Sequence, residues 1–327
     1  MGLALRIPIY TKLPYKREIF RLSDGGELGL DYLEPPAHIL AASKNDQHAS
    51  PSSSPSPPPT SAPSPTWSPS KKRRKGRKVK RNRTKNTNNN NTNNNSNGKC
   101  GGEGAENLVV LLLPGLTSSS QTSYVKSIAL AITHAGATVV VLNNRGLGGV
   151  PLKTPRTYCA SKPDDAREVI LHLREKFPER RLLAVGTSLG GILLCQYIIN
   201  HPEEAKELLV AALVVSICWD PMSGTTNLEK PFVNKYIMNY NLTQNLRNLA
   251  AKYRTILEER NCWDFNKVLK SRTLREFDAH FTAPQFGYDS VMDYYRAASV
   301  KDNVHKFPIP VFGFNAYDDP LQPGDRK

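Results

Sequence analysis

Residues 182–200 constrain the fold more than any other stretch. Leu182-Leu-Ala-Val185 reads as a buried strand, Gly186-Thr-Ser-Leu-Gly190 as a turn, and residues 190–200 as an apolar helix. A strand that enters a helix through Gly-x-Ser-x-Gly is a nucleophile elbow. The turn is so sharp that only small residues fit around the serine, whose Oγ then stands exposed above the sheet. The surrounding sequence supports such a sheet. Residues 108–113, 138–143 and 208–217 are near-continuous apolar runs. Residues 124–135 and 164–176 carry helical spacing, with Val169, Ile170 and Leu173 on one side of the second. Apolar strands alternating with helices indicate a mostly parallel sheet covered on both faces.

Ahead of this pattern, residues 18–21 and 27–33 flank Ser23-Asp-Gly-Gly26. Two strand-like runs around an Asp-Gly turn predict a β-hairpin. From residue 219 to about 306 the strand signal vanishes, and helical patches rich in Tyr and Leu follow at 232–240, 246–259 and 290–298. Residues 310–315 return to strand. A helical excursion between two strands of one sheet predicts a cap over the sheet's C-terminal edge, where ligands bind in open α/β folds.

Residues 41–107 have a different composition. Residues 50–70 hold 8 Pro and 9 Ser, residues 71–85 hold 11 Lys or Arg and no acid, and residues 86–97 hold 9 Asn. None of these blocks can bury enough apolar surface to offset its ordering entropy, so the segment is expected to be a disordered insertion. It carries 13 of the 44 basic and 3 of the 29 acidic residues. The rest of the chain is nearly balanced, which argues against reading the whole protein as a nucleic-acid binder. A basic patch for RNA, nuclear import or anionic lipid stays open for residues 71–85.

Five widely spaced cysteines, odd in number and without a Cys-x-x-Cys pair, argue against a zinc site or a disulfide framework. No apolar stretch approaches the roughly 20 residues that span a bilayer. Residues 1–13 are too short and too interrupted for a signal peptide, and Arg6 stands where a myristoylation signal needs Ser or Thr.

Ser188 is the candidate nucleophile. Acyl transfer also needs donors for the developing oxyanion. The Leu189 amide, directly after the nucleophile, is one. Pro114-Gly-Leu-Thr117 follows the first apolar strand, and Gly115 lets the backbone fold in close, so the Leu116 amide is the second. The acid follows a later strand, where Asp318 and Asp319 stand together; Asp319 begins an Asp-x-apolar-x-Pro pattern and is chosen. The general base normally follows the acid, yet no histidine lies between Pro320 and Lys327. His38, His48, His134, His172, His201, His280 and His305 all occupy other chain positions.

A set of motifs carries a specific resemblance: Leu113-Pro-Gly-Leu-Thr117, Ser123-Tyr-Val125, Asn143-Asn-Arg-Gly146, Thr154-Pro-Arg-Thr-Tyr158, Gly186-Thr-Ser-Leu-Gly-Gly191, Arg275-Glu-Phe-Asp278, Phe286-Gly-Tyr288 and Asp293-Tyr-Tyr295. In this order they resemble the type-4 branch of the AB hydrolase superfamily, and within it the α/β-hydrolase-domain-containing proteins one and three. The resemblance covers the hairpin and residues 108–327, leaving 41–107 as foreign to it. It implies an α/β-hydrolase fold: a hairpin within residues 1–40, the insertion at 41–107, and the hydrolase domain at 108–327 with its cap at about 219–306. It also implies a serine hydrolase of lipid esters, of phospholipase A1, acylglycerol lipase or short-chain carboxylesterase type, with Ser188 as nucleophile and Asp319 as acid. No metal or cofactor is implied. A membrane surface is the implied partner and a membrane-associated, intracellular location the implied setting, because family members usually carry an N-terminal anchor. They also carry a Gly-Gly-His segment after the acid. The 327 residues hold neither feature, so the expectation is a family member missing both ends, with little turnover of its own. The cap's apolar residues can hold an acyl chain or simply pack on the sheet. Two other readings stay open: a non-catalytic hydrolase fold used as a binding module, and nucleic-acid or anionic-membrane binding through the insertion.

Overall fold

The apolar runs assemble into a single seven-stranded sheet in the computed structural model of the chain, which describes residues 12–39, 104–230, 234–260 and 262–322. The expectation of disorder for 41–107 lies outside the described residues, except at its end, where Ala105–Asn107 forms a 3-10 turn. Strands β1 (Lys16–Arg21) and β2 (Glu27–Leu33) form the hairpin. Strands β3 (Leu108–Leu113), β4 (Thr138–Asn143), β5 (Arg181–Thr187), β6 (Ala211–Val215) and β7 (Val311–Phe314) are mutually parallel. The order is β1-β2-β4-β3-β5-β6-β7, and β2 joins β4 antiparallel. The chain steps from β3 out to β4 and then back past β3 to β5. That reversal is the switch point at which open α/β sheets leave a crevice at their carboxyl ends.

Three helices cover the sheet: α1 (Ser123–His134), α2 (Asp164–Lys176) and α3 (Leu189–Asn200). The pleat sends alternate residues to opposite faces. Leu111 and Leu113 join Val169, Ile170, Leu194 and Tyr197 in one core. Val110, Leu112, Val139 and Val141 pack with Val125 and Ala129 in the other. Both faces are dry, which is why these strands lack polar alternation.

The structure shortens the strand expected over 208–217. Pro202 and two glutamates open a helix, α4 (Pro202–Leu208), that absorbs Leu208, and the strand begins only at Ala211. Proline at the first helical position and acids in the first turn are a known helix start.

Between β6 and β7 the described chain is helical, but its elements differ from the expected patches. Helix α5 (Pro221–Leu228), capped by Asp220, was not anticipated. The patch at 232–240 contains a π-helical turn, Asn234–Asn239. The patch at 246–259 starts early and divides into α6 (Tyr240–Lys252) and α7 (Arg254–Glu258) at Tyr253. There the Tyr253 hydroxyl donates to the carbonyl of Gly146 at 3.0 Å, pinning the break to the loop after β4. Helices α8 (Phe265–Lys270) and α9 (Leu274–Phe277) are also additions, capped by Asp264 and Thr273. A second π-helical turn, Asp278–Thr282, continues α9, and α10 (Val291–Ala298) and a 3-10 helix, Lys301–Lys306, complete the helical region. Phe265, Phe277, Phe281 and Leu257 form a separate small core here.

Arg145, in the loop after β4, is fully buried. Its Nε and Nη2 donate to the two Asp165 oxygens at 2.6 and 2.8 Å, Nη2 donates to Asp24 at 3.0 Å and Nη1 to Thr154 Oγ1 at 3.0 Å. One guanidinium thus ties the hairpin turn to the start of α2. Removing one partner of a buried pair strands the other charge. Arg145→Leu is therefore expected to lose about 3–5 kcal/mol of unfolding free energy in urea titration, and Arg145→Leu with Asp165→Leu to recover much of it. A single variant within experimental error of the wild type would show that the pair is not needed.

Candidate active site

The elbow is as sharp as its sequence demands. Ser188 sits at φ 51° and ψ −117°, a conformation that costs a side-chain-bearing residue roughly 1–3 kcal/mol and persists only when neighbours hold it. Its amide donates to the Val215 carbonyl at 3.0 Å, and its carbonyl accepts from the Gly191 and Ile192 amides at 3.0 and 3.2 Å. The helix start presses against the end of β3. A Cβ on Gly190 would lie 2.1 Å from the Leu113 carbonyl oxygen, so no other residue fits there. Thr117 and Ser216, which also follow parallel strands, have positive φ as well.

The loop after β3 approaches the serine closely. A Cβ on Gly115 would stand 3.2 Å from Ser188 Cβ. In this loop the Gly115 amide donates to the Tyr124 hydroxyl at 2.8 Å and the Thr117 amide to the Tyr158 hydroxyl at 3.0 Å. The Leu116 amide between them donates to no described acceptor. The Leu189 amide, first in α3, has no partner within the helix either. Leu116, Ser188 and Leu189 line one cavity of about 110 Å³.

Asp319 and Asp318 are separated by burial: Asp319 is buried and Asp318 exposed. Asp319 Oδ1 accepts from the Leu321 amide at 2.9 Å and Oδ2 from Asn315 Nδ2 at 3.4 Å. Its charge acts on the Cys218 thiol. Cys218 and Leu321 both line the cavity, so Asp319 stands directly behind its wall. Burial, followed by the Asp220 and Asp319 charges, pushes that thiol up to about 12, leaving it uncharged at neutral pH.

None of the described histidines lines this cavity. His280 Nδ1 pairs with Ser271 Oγ at 3.1 Å, and His201 stacks beside Tyr197. His172 stacks on Phe20, while His38, His134 and His305 are exposed. His48 lies outside the described residues. Among the described residues no group of three or more His, Cys, Asp or Glu is arranged to hold a metal ion, and no helix is long and apolar enough to cross a membrane.

The rest of the cavity is mainly apolar: Leu189, Ile192, Pro221, Leu242, Leu246 and Leu274 form much of it. Sequence reasoning assigned no role to five residues that shape the site. Tyr124 and Tyr158 hold the loop after β3 by their hydroxyls. Asp278, together with Tyr294 and Tyr295, places a carboxyl in the cavity wall. All stand inside motifs quoted above, and that clustering was the one signal available.

A family model described as Hydrolase_4, serine aminopeptidase, S33, matches residues 104–274. Phospholipase ABHD3 of Mus musculus is 38% identical over 214 residues, which are 65% of this chain and 51% of that protein. Protein abhd-3.2 of Caenorhabditis elegans is 35% identical over 224 residues, 68% of this chain and 58% of that one. The monoacylglycerol lipase of Saccharomyces cerevisiae is 30% identical over 223 residues, 66% and 49% of the two chains. The chain spans about half the length of these curated relatives.

Gly190→Ala tests the packing that makes the elbow. The added methyl meets backbone on every side and cannot be relieved by a rotamer change. A loss of at least about 1–3 kcal/mol is expected, the usual cost of overpacking, read as a lowered midpoint in chemical denaturation. An unchanged midpoint would show that α3 is free to move away from β3.

Proposed function

The chain belongs to the Hydrolase_4 (serine aminopeptidase, S33) family of α/β hydrolases, and from that premise we propose that it is built to attack carboxylic esters of lipids through Ser188. The observation that carries this reading is the strained serine opening onto a largely apolar cavity, beside two amides that find no acceptor among the described residues. Ser188 Oγ attacks the ester carbonyl carbon, and its proton passes to a general base. The Leu116 and Leu189 amides donate to the oxyanion as it forms. Collapse expels the alcohol and leaves an acyl-serine, which water hydrolyses to release the fatty acid. Asp319 is placed to orient a histidine base.

The acyl chain lies against the leucines of the cavity, and the alcohol portion faces its mouth. The relatives' names, a phospholipase and a monoacylglycerol lipase, support lipid esters as the substrate class. A membrane surface is the partner that presents such esters. No described histidine reaches the cavity to serve as that base.

A fluorophosphonate probe bonds to an activated serine without needing a full catalytic cycle. In a chain that carries a histidine base after Asp319 it is expected to label Ser188, and to leave Ser188→Ala of the same chain unlabelled, with the modified residue identified by peptide mass. Hydrolysis of a monoacylglycerol and of a phosphatidylcholine is measured in parallel. Ester binding with neither labelling nor turnover would favour the binding-module reading instead. Equal labelling of wild type and Ser188→Ala would remove the proposal.

A further inference from the structure

Asp278 is the one carboxyl among the described residues that line the cavity of Ser188. It is 6% exposed. Its Oδ2 accepts from the Tyr295 hydroxyl at 2.9 Å, and the Thr282 hydroxyl also bonds to it. No described Lys, Arg or His forms an ion pair with it. Arg275, three residues before it, is instead paired with Glu229 at 2.9 Å. The turn it begins is π-helical, an irregularity that recurs at functional sites. A carboxyl without a cation, buried in a wall of leucines, is a costly thing to keep. Asparagine would make the same bonds to the two hydroxyls without ionising.

We propose that Asp278 is a specificity-determining protonation gate of the cavity: uncharged, it lets an apolar chain fill the space and exclude water; ionised, it retains water and weakens the binding of that chain. This rests on the reading of the cavity as the acyl site. Burial raises the Asp278 carboxyl to about 6, with the Thr282 and Tyr295 hydroxyls opposing, so the change of state falls near neutral pH. The hydroxyls and the thiol that face it stay uncharged there. From α10, the Tyr294 and Tyr295 hydroxyls are pushed well above their usual range, chiefly by burial and then by Asp278 itself. From the loop before α2, burial pushes the Tyr158 hydroxyl up and the Cys159 thiol up to about 11. On its own segment stand Arg275, paired with Glu229, and His280, paired with Ser271. Behind the far wall is Asp319, acting on Cys218.

The sign follows from linkage. A ligand that dries the cavity disfavours the charged carboxylate further, so ligand and proton bind cooperatively. Below pH 6 the carboxyl is already neutral and affinity is at its plateau. Above it, binding must take up a proton, and affinity falls as pH rises.

The test uses the 327-residue chain and a pyrene-labelled alkyl glycerol ether, which is uncharged and has no ester to cleave. Its Kd, followed by pyrene fluorescence, is expected to be roughly five- to tenfold higher at pH 7.5 than at pH 5.5, as a further rise of the bound-state carboxyl by about one pH unit requires. Asp278→Asn is expected to give one Kd at both pH values, and His280→Gln to keep the wild-type slope. Should Asp278→Asn not fold, Tyr295→Phe serves: it removes a donor to the charged form, and the midpoint of the Kd profile is expected to move to higher pH. The 13C resonance of the Asp278 carboxyl, which a purely structural role would not couple to ligand, is expected to titrate at higher pH when the ether is bound. A wild-type Kd that does not change with pH, or a slope retained by Asp278→Asn, overturns the gate. Absence of binding at every pH overturns both the gate and the acyl-site reading. Because no turnover is needed, failure of the Ser188 chemistry is told apart from failure of the gate.

Discussion

The contact of Gly190 with the last carbonyl of β3 governs the site. A helix start that close to a neighbouring strand forces the chain to leave β5 by a turn with no room for ordinary backbone angles, and Ser188 takes the strain. The same contact draws the loop after β3 over the serine, so the Leu116 and Leu189 amides are brought to one cavity from elements more than seventy residues apart. Burial offsets the strain: the ends of β3 and β5 that lead into the site, Leu111 to Leu113 and Ala184 to Thr187, are buried at every position. Groups set by such elements are placed more precisely than any surface loop would allow.

A second level of organisation holds the hairpin. The Asn143-Asn-Arg-Gly146 segment connects three parts of the molecule: Asn143 bonds Ser120, Gly29 and Asp31, Arg145 bonds Asp24 and Asp165, and Gly146 receives the Tyr253 ring. The antiparallel β1–β2 addition, the parallel sheet and the helical cap therefore meet in four consecutive residues. These contacts account for the Asn143 amide, the guanidinium and the glycine of the motif, although none of the three reaches the cavity.

The sheet was legible in the sequence because its strands are apolar throughout, and the elbow because its chemistry is local to six residues. Asp319 was separable from Asp318 by the pattern that follows it, and burial divides the two in the same way. The cap was legible only as a helical region. Its short helices, α5, α8 and α9, have one or two turns each, too few for an apolar stripe, and their capping residues Asp220, Asp264 and Thr273 were the readable sign. Asp278 was hidden for a different reason. It lies ninety residues after Ser188, on a π-helical turn whose register no 3.6-residue period reports. Tyr124 and Tyr158 act through single hydroxyl contacts with a loop that sequence spacing cannot locate.

The strand order bears on how the protein is made. β2 takes its place in the sheet only by pairing with β4, whose last residue comes 110 residues after the end of β2. At ribosomal speeds of about 5–20 residues per second, that interval lasts roughly 5–22 s. During it Leu28, Leu30 and Tyr32, all buried in the finished molecule, have no sheet to enter. A two-stranded hairpin alone is marginal in water, and its open edge is a template for pairing with another chain. The nascent hairpin is thus a stretch that a chaperone would protect, and the time for which it waits is set by the length of chain between β2 and the end of β4.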